Sequence, residues 1–107
     1  MRLRMLMDEN GAECFASAVS GFELATKYRL GKLPEAEPLV LNFSGWVRRL
    51  GFSLLSISGQ HAIRAGSFAA EHRDPFDRLL AAQAETEGMV LLSKDPELDQ
   101  FGVRRVW

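Results

Sequence analysis

The chain contains 107 residues, of which 47% are hydrophobic and 25% charged, and its formal net charge is −1. This apolar content predicts a single globular domain in water, and the balance of charge excludes a disordered tail or a polybasic nucleic-acid arm. The one cysteine, Cys14, has no partner for a disulfide or a cysteine-framed zinc site, which indicates a reducing, cytoplasmic environment.

Glycine and proline divide the chain into short predicted elements. Residues 1–7 resemble the end of a helix, are too short to span a membrane and lead into a turn at 8–11. The following elements alternate between strand and helix: strand 14–19, helix 20–30, helix 39–50, strand 52–57, a weakly helical stretch 59–70, helix 75–87, strand 89–92, a helical turn 96–100 and strand 103–107. This alternation predicts a parallel sheet covered by helices on both faces.

Three acidic residues are expected at the carboxyl edge of that sheet, where open parallel sheets bind ligands. Glu23 and Asp77 are predicted in the first turns of their helices, and Asp95 directly follows strand 89–92. Carboxylates gathered at one edge repel each other unless a cation compensates, and oxygen-only ligands suit Mg²⁺ or Mn²⁺. A metal-assisted phosphodiester hydrolase is one hypothesis, and it fails if the carboxylates lie more than ~10 Å apart.

Helix capping explains the same acids without any chemistry. Ser20 with Glu23, and Asp74 with Asp77, both fit a capping box, in which the second acid reaches back to the cap. Asp95 suits an ordinary turn before a proline. Spacing alone favours these separate roles and does not decide between the alternatives.

Three ordered motifs are distributed along the chain: SAVSGFELATKYRLGKL at 17–33, HRDPFDRLLAAQA at 72–84, and SKD at 93–95 with the ending FGV at 101–103 and VW at 106–107. Together they resemble the PIN-domain family, and within it the VapC-type ribonuclease toxins of bacterial type II toxin–antitoxin modules. The resemblance implies a three-layer α/β domain over 1–107, with a short parallel sheet flanked by helices.

The same resemblance implies a Mg²⁺- or Mn²⁺-dependent endoribonuclease of the cytoplasm. Glu23, Asp77 and Asp95 match the family's catalytic and metal-binding acids, with Asp74 as an accessory acid. RNA is the implied substrate, a cognate antitoxin the implied partner, and a homodimer the expected assembly, with no membrane association.

Basic residues near the motifs are candidates for contacts with RNA phosphates. They are Lys27, Arg29, Lys32, Arg73 and Arg78. The alternative for each is a solvated helix face. His61 and His72 lack a paired nucleophile and are expected to be ordinary surface or helix-end histidines.

The family's first central strand, which ends in an aspartate, has no counterpart here. Asp8 is a poor substitute, because the short connection that follows allows only a hairpin. The neighbouring strands would then need water, another chain or a rearrangement to pair their backbone groups. The hypotheses are a start codon placed late, or a catalytically inactive remnant that only binds an antitoxin or itself. A phosphate- or nucleotide-binding domain is weakened by the lack of a glycine-rich loop.

Overall fold

The structure, a computed structural model, describes residues 4–107. Its sheet contains β1 (Met5–Met7), β2 (Cys14–Ser17), β3 (Ser53–Leu55), β4 (Val90–Leu92) and β5 (Arg105–Val106), in the spatial order β3–β2–β1–β4–β5. The pairs β2–β3 and β4–β5 are parallel, whereas β1 is antiparallel to both of its neighbours. The four outer strands therefore run in one direction, which confirms the predicted α/β fold with a mostly parallel sheet.

Helices cover both faces of the sheet. They are α1 (Ala18–Arg29), α2 (Glu37–Leu41), α3 (Phe43–Arg49), α4 (Gly59–Ser67) and α5 (Pro75–Glu87), with 3₁₀ turns at Pro34–Ala36 and Pro96–Phe101. Alternating side chains of β1 serve two cores: Leu6 packs in the larger core with α4 and α5, and Met5 packs with Val47 of α3. Within residues 4–107, no helix is long and apolar enough to cross a membrane.

Strand β1 corrects the prediction of a helix end at residues 1–7, of which residues 1–3 lie outside the described part. Its hairpin to β2 is closed by the Asp8 amide donating to the Glu13 carbonyl at 3.1 Å, and Gly11 takes a φ of 71° in the turn. No parallel first strand ending in an acid occurs in the region 4–107. The central position of the sheet is occupied by β1. This strand is antiparallel to β2, because a short hairpin connects the two.

Other boundaries differ from the predictions where a side chain caps a helix. Helix α1 begins at Ala18 rather than at Ser20, because the Ser17 hydroxyl accepts a hydrogen bond from the Val19 amide at 2.9 Å. The predicted helix 39–50 is divided into α2 and α3 at Asn42, which caps the second part. Helix α5 has the predicted bounds, from a proline at its first position to Gly88 just past its end.

Candidate active site at the carboxyl edge of the sheet

The candidate site lies where the chain changes direction across the sheet. From β2 the chain moves outward to β3, whereas from β4 it moves outward to the opposite edge at β5. The carboxyl ends of β2 and β4 flank the start of β1, and Arg4 immediately precedes that strand. Such a switch point is the usual ligand site of an open α/β sheet.

Glu23 reaches this edge from the second turn of α1 and is only 6% exposed. The prediction that it lies in the first turn is wrong, and so is the capping box with Ser20, because Ser17 caps the helix. Its Oε1 accepts a hydrogen bond from Arg4 Nη2, and its Oε2 lies 3.2 Å from Lys27 Nζ. The carboxylate therefore faces two cations and not the helix end.

Asp77 lies in the first turn of α5 and is 3% exposed. Its Oδ1 accepts a hydrogen bond from Arg4 Nη1, and its Oδ2 lies 2.7 Å from His72 Nε2. The cap of this helix is Asp74, whose carboxylate accepts from the Phe76 amide at 2.9 Å and the Asp77 amide at 3.4 Å. The cap at Asp74 is confirmed, but the predicted capping box is wrong, because the Asp77 carboxylate contacts Arg4 and His72 and does not reach back to the cap.

Asp95 follows β4 and caps the 3₁₀ turn Pro96–Phe101, accepting from the Glu97 amide at 3.0 Å. Its capping role is therefore confirmed, yet the residue also belongs to an acidic group. One carboxylate oxygen each from Asp77, Asp95 and Glu97 lie within 4.8 Å of one another. Ligand atoms of His72, Asp74 and Asp77 form a second group with the same spacing. Capping and participation in a site are thus compatible.

The three acids predicted from the sequence are brought to one edge. Asp77 connects them, because it shares the Arg4 guanidinium with Glu23 and lies in one acidic group with Asp95. Glu23 takes part through Arg4, and Glu97 adds an oxygen beside Asp95. Among residues 4–107 the acidic groups contain Asp77 and Asp95 but not Glu23, so binding of one ion by all three carboxylates stays a prediction.

Three residues of this site were not anticipated from the sequence. Arg4 stands in an apolar run that gives no sign of a site, and Glu97 looks like an ordinary residue of a helical turn. His72 was expected on the surface, but its side chain is 14% exposed and its ring lies edge-on to Phe101, with centroids 5.7 Å apart. The available signal was its place at the start of the motif 72–84, five residues before Asp77.

The basic residues proposed to contact RNA differ in their surroundings. Lys27 pairs with Glu23, and Arg29, Lys32 and Arg73 are exposed. Arg78 instead holds the loop before α5: its guanidinium donates to the carbonyls of Ala65, Phe68, Ala70 and His72 at 2.7–2.8 Å. Those bonds give Arg78 a structural role.

The donor atoms around Asp77 fit a divalent cation. Asp77, Asp95 and Glu97 offer hard carboxylate oxygens only, which Mg²⁺ and Mn²⁺ prefer. The guanidinium of Arg4, seated between two of the acids, marks a place at this edge where positive charge is stabilised. Fold and site together define an α/β protein with a cluster of carboxylates at the carboxyl edge of its sheet.

Comparison with known families identifies that class more closely. Residues 2–103 match the PIN domain, so the chain belongs to the PIN domain family. PIN domains are in general nucleases and typically use a divalent metal. Searches of curated proteins and of solved structures return no match. The resemblance is therefore confirmed at the level of the family.

Proposed function

We propose that the chain is a single-domain endoribonuclease of the VapC toxin type, which hydrolyses RNA phosphodiester bonds in the cytoplasm with Glu23, Asp77 and Asp95. The observation that carries the proposal is that Asp77 of α5 lies in one acidic group with Asp95 at the end of β4 and shares the Arg4 guanidinium with Glu23 of α1. Membership of the PIN domain family supports nuclease chemistry. The toxin subtype is supported by the three ordered sequence motifs.

The residues that would hold Mg²⁺ or Mn²⁺ are the three proposed acids, together with Glu97 and with Asp74 as an accessory acid. When bound, such an ion supplies charge to the phosphate oxygens and lowers the pKa of the attacking water. The chain's own contribution is orientation. His72 Nε2 donates to Asp77 Oδ2, because an ionised carboxylate can only accept, and the bond from the Glu97 amide fixes the carboxylate of Asp95.

The surface beside the acids suits a single-stranded RNA. Phe22, which immediately precedes Glu23, is 59% exposed, and its ring meets that of Phe76 edge-on at 5.3 Å. Exposed aromatic rings stack on unpaired bases, and nearby cations bind the phosphates. Arg29, Lys32 and Arg73 are the exposed cations proposed for that contact, with Lys27 beside Glu23.

A second candidate function is an inactive module that binds an antitoxin or a second copy of the chain. The observation that favours it is Arg4, which already forms ion pairs with two of the three acids. An apolar groove between α1, α3 and the sheet offers a surface for such a partner, and it is lined by Leu24, Leu39, Phe43, Trp46 and Leu50, among others.

Cleavage of a single-stranded RNA in Mn²⁺ tests the proposed function. We expect Asp77→Asn and Asp95→Asn each to lower the rate by about 10²-fold or more, because each removes a metal ligand. Glu71→Gln removes an exposed acid outside the cluster and is the matched control. A folded wild-type chain that leaves the RNA intact in Mn²⁺ would favour the inactive module.

A further inference from the structure

A buried arginine lies between two of the proposed catalytic acids. Arg4 is 7% exposed, and its two terminal nitrogens donate separately to Glu23 and Asp77. A buried cation is costly unless its charge is paired and its donors are satisfied, and both conditions are met here. The guanidinium therefore occupies a position that a divalent cation would need if it bound both acids.

Glu23 and Asp77 are matched by their nearest cations, although Asp95 and Glu97 add negative charge beside Asp77. The two carboxylates of Glu23 and Asp77 face the two positive charges of Arg4 and Lys27. Each of the four carboxylate oxygens has a nitrogen partner: Arg4 and Lys27 at Glu23, and Arg4 and His72 at Asp77. A divalent ion that bound both acids would have to replace the guanidinium, because one oxygen of each carboxylate already accepts a charge-assisted hydrogen bond from Arg4.

We propose that Arg4 is a built-in competitor of the divalent cation, so that release of its guanidinium from Glu23 and Asp77 controls the metal affinity of the site. The inference rests on the proposed function, since it concerns the same acids. It makes Arg4 a residue that regulates the site and not a catalytic residue.

The fold fixes the Arg4 backbone but leaves its side chain a place to move. Arg4 directly precedes β1, whose residues pair with both neighbouring strands, so the backbone at this point is held from two sides. The side chain also borders the apolar groove between α1 and α3, together with Met5, Leu24 and Trp46. An arginine stem packs on apolar surface while its charged head stays in water, so the released side chain would lie along this groove with its guanidinium in solvent.

Binding of Mn²⁺ to the intact chain tests the competition directly. The loss of the free-ion signal in electron paramagnetic resonance measures affinity without any RNA or activity. We expect Arg4→Gln to bind Mn²⁺ about tenfold more tightly than the wild type or more, because the ion no longer displaces two charge-assisted hydrogen bonds. Arg48→Gln removes an exposed arginine on α3 and should bind Mn²⁺ as the wild type does.

Stability provides a second readout. Arg4→Gln leaves two buried carboxylates without their shared cation, so we expect it to be less stable than the wild type and to gain more stability from Mn²⁺. Thermal unfolding with and without the ion measures both effects. In Arg4→Gln combined with Asp77→Asn the gain in affinity should be lost, which would place the additional binding at this site.

The more conservative Arg4→Lys decides the question if Arg4→Gln does not fold at any Mn²⁺ concentration. A lysine keeps the charge but cannot bridge both acids as a guanidinium does, so its Mn²⁺ affinity should also exceed that of the wild type. An affinity equal to that of the wild type in the folded variant would overturn the proposal.

The nuclease proposal and the proposed competition by Arg4 can fail independently of each other. If Arg4→Gln gains Mn²⁺ affinity but neither it nor the wild type cleaves single-stranded RNA, the competition stands and the nuclease proposal fails. If the wild type cleaves RNA in Mn²⁺ and Arg4→Gln binds the ion no more tightly, the nuclease stands and Arg4 is not a competitor.

Discussion

At the scale of single residues, Phe22 is the side chain with the clearest expected role in RNA binding. We expect Phe22→Ala to weaken binding of a single-stranded oligonucleotide about tenfold, because stacking of one base on an aromatic ring contributes about 1–3 kcal/mol. Fluorescence anisotropy without divalent ions measures the affinity while the RNA remains intact. Phe22→Tyr keeps the ring and should bind as the wild type does; equal affinity of the alanine variant would exclude stacking at this position.

The residue scale also shows how far the site could be predicted. Strand ends and short motifs led to the prediction of Glu23, Asp77 and Asp95 as site residues, since the ends of parallel strands meet at one edge. Glu23 was predicted in the first turn of α1 but lies in the second. The helix begins earlier than predicted because Ser17, and not Ser20, caps it in the folded chain. The role of Arg4 could not be predicted, because it depends on a strand pairing between residues more than 70 positions apart.

At the scale of elements, Arg78 joins the loop before α5 to the end of α4. We expect Arg78→Lys to lower the free energy of unfolding by about 2 kcal/mol or more, since one ammonium cannot satisfy the four carbonyls bound by the guanidinium. Urea denaturation measures the loss, and amide exchange in 69–73 should become faster. Arg73→Lys, at an exposed position in the same loop, is the control. Equal stability of both variants would show that the carbonyl contacts contribute little.

A second connection between elements depends on pH. Arg64 of α4 donates to both carboxylate oxygens of Glu85 on α5, at 2.5 and 3.1 Å, and this hydrogen bonding lowers the pKa of Glu85 below its ordinary value of 4.5. A lowered carboxyl pKa adds stability above the unfolded-state pKa, and that stability is lost as the pH falls through the folded-state pKa. The contribution is small because both side chains are solvent-exposed.

Comparison of the wild type with Glu85→Gln tests this connection. We expect the wild type to be slightly more stable at pH 7, and the difference in free energy of unfolding to shrink as the pH falls from about 5 to 3. Glu71→Gln, an exposed acid in the loop before α5, is the control for general effects of charge. A difference that stays constant over this range would show that the ion pair does not contribute.

At the scale of the whole molecule, strands β2 to β5 and most helical segments were predicted from the sequence, whereas the division of helix 39–50 and the central strand β1 were not. Alternating apolar segments bounded by glycine and proline predict β2 to β5 and α5 well, because each pattern is local. The three residues Met5–Met7 have no period of their own that distinguishes a strand from a helix. Their structure is decided by β2 and β4, whose facing backbone groups need a partner between them.

The central position of β1 has a consequence for stability that an edge strand would not have. Leu6 is fully buried in the larger core, and its strand pairs on both sides. We expect Leu6→Ala to lower the free energy of unfolding by about 2–5 kcal/mol, since it leaves a cavity among side chains that cannot close around it. Leu54→Ala is the matched control, because Leu54 lies on the edge strand β3 and is 44% exposed.

Urea denaturation of the two leucine variants therefore tests the topology itself. Leu54→Ala should lower the free energy of unfolding by less than about 1 kcal/mol, because the exposed Leu54 side chain buries little apolar area. If Leu6→Ala were no more destabilising than Leu54→Ala, β1 would not be the strand that joins the two halves of the sheet. Arg4 would then lose the backbone pairing that holds it beside Glu23 and Asp77, and the competition proposed for the metal would lose its structural basis.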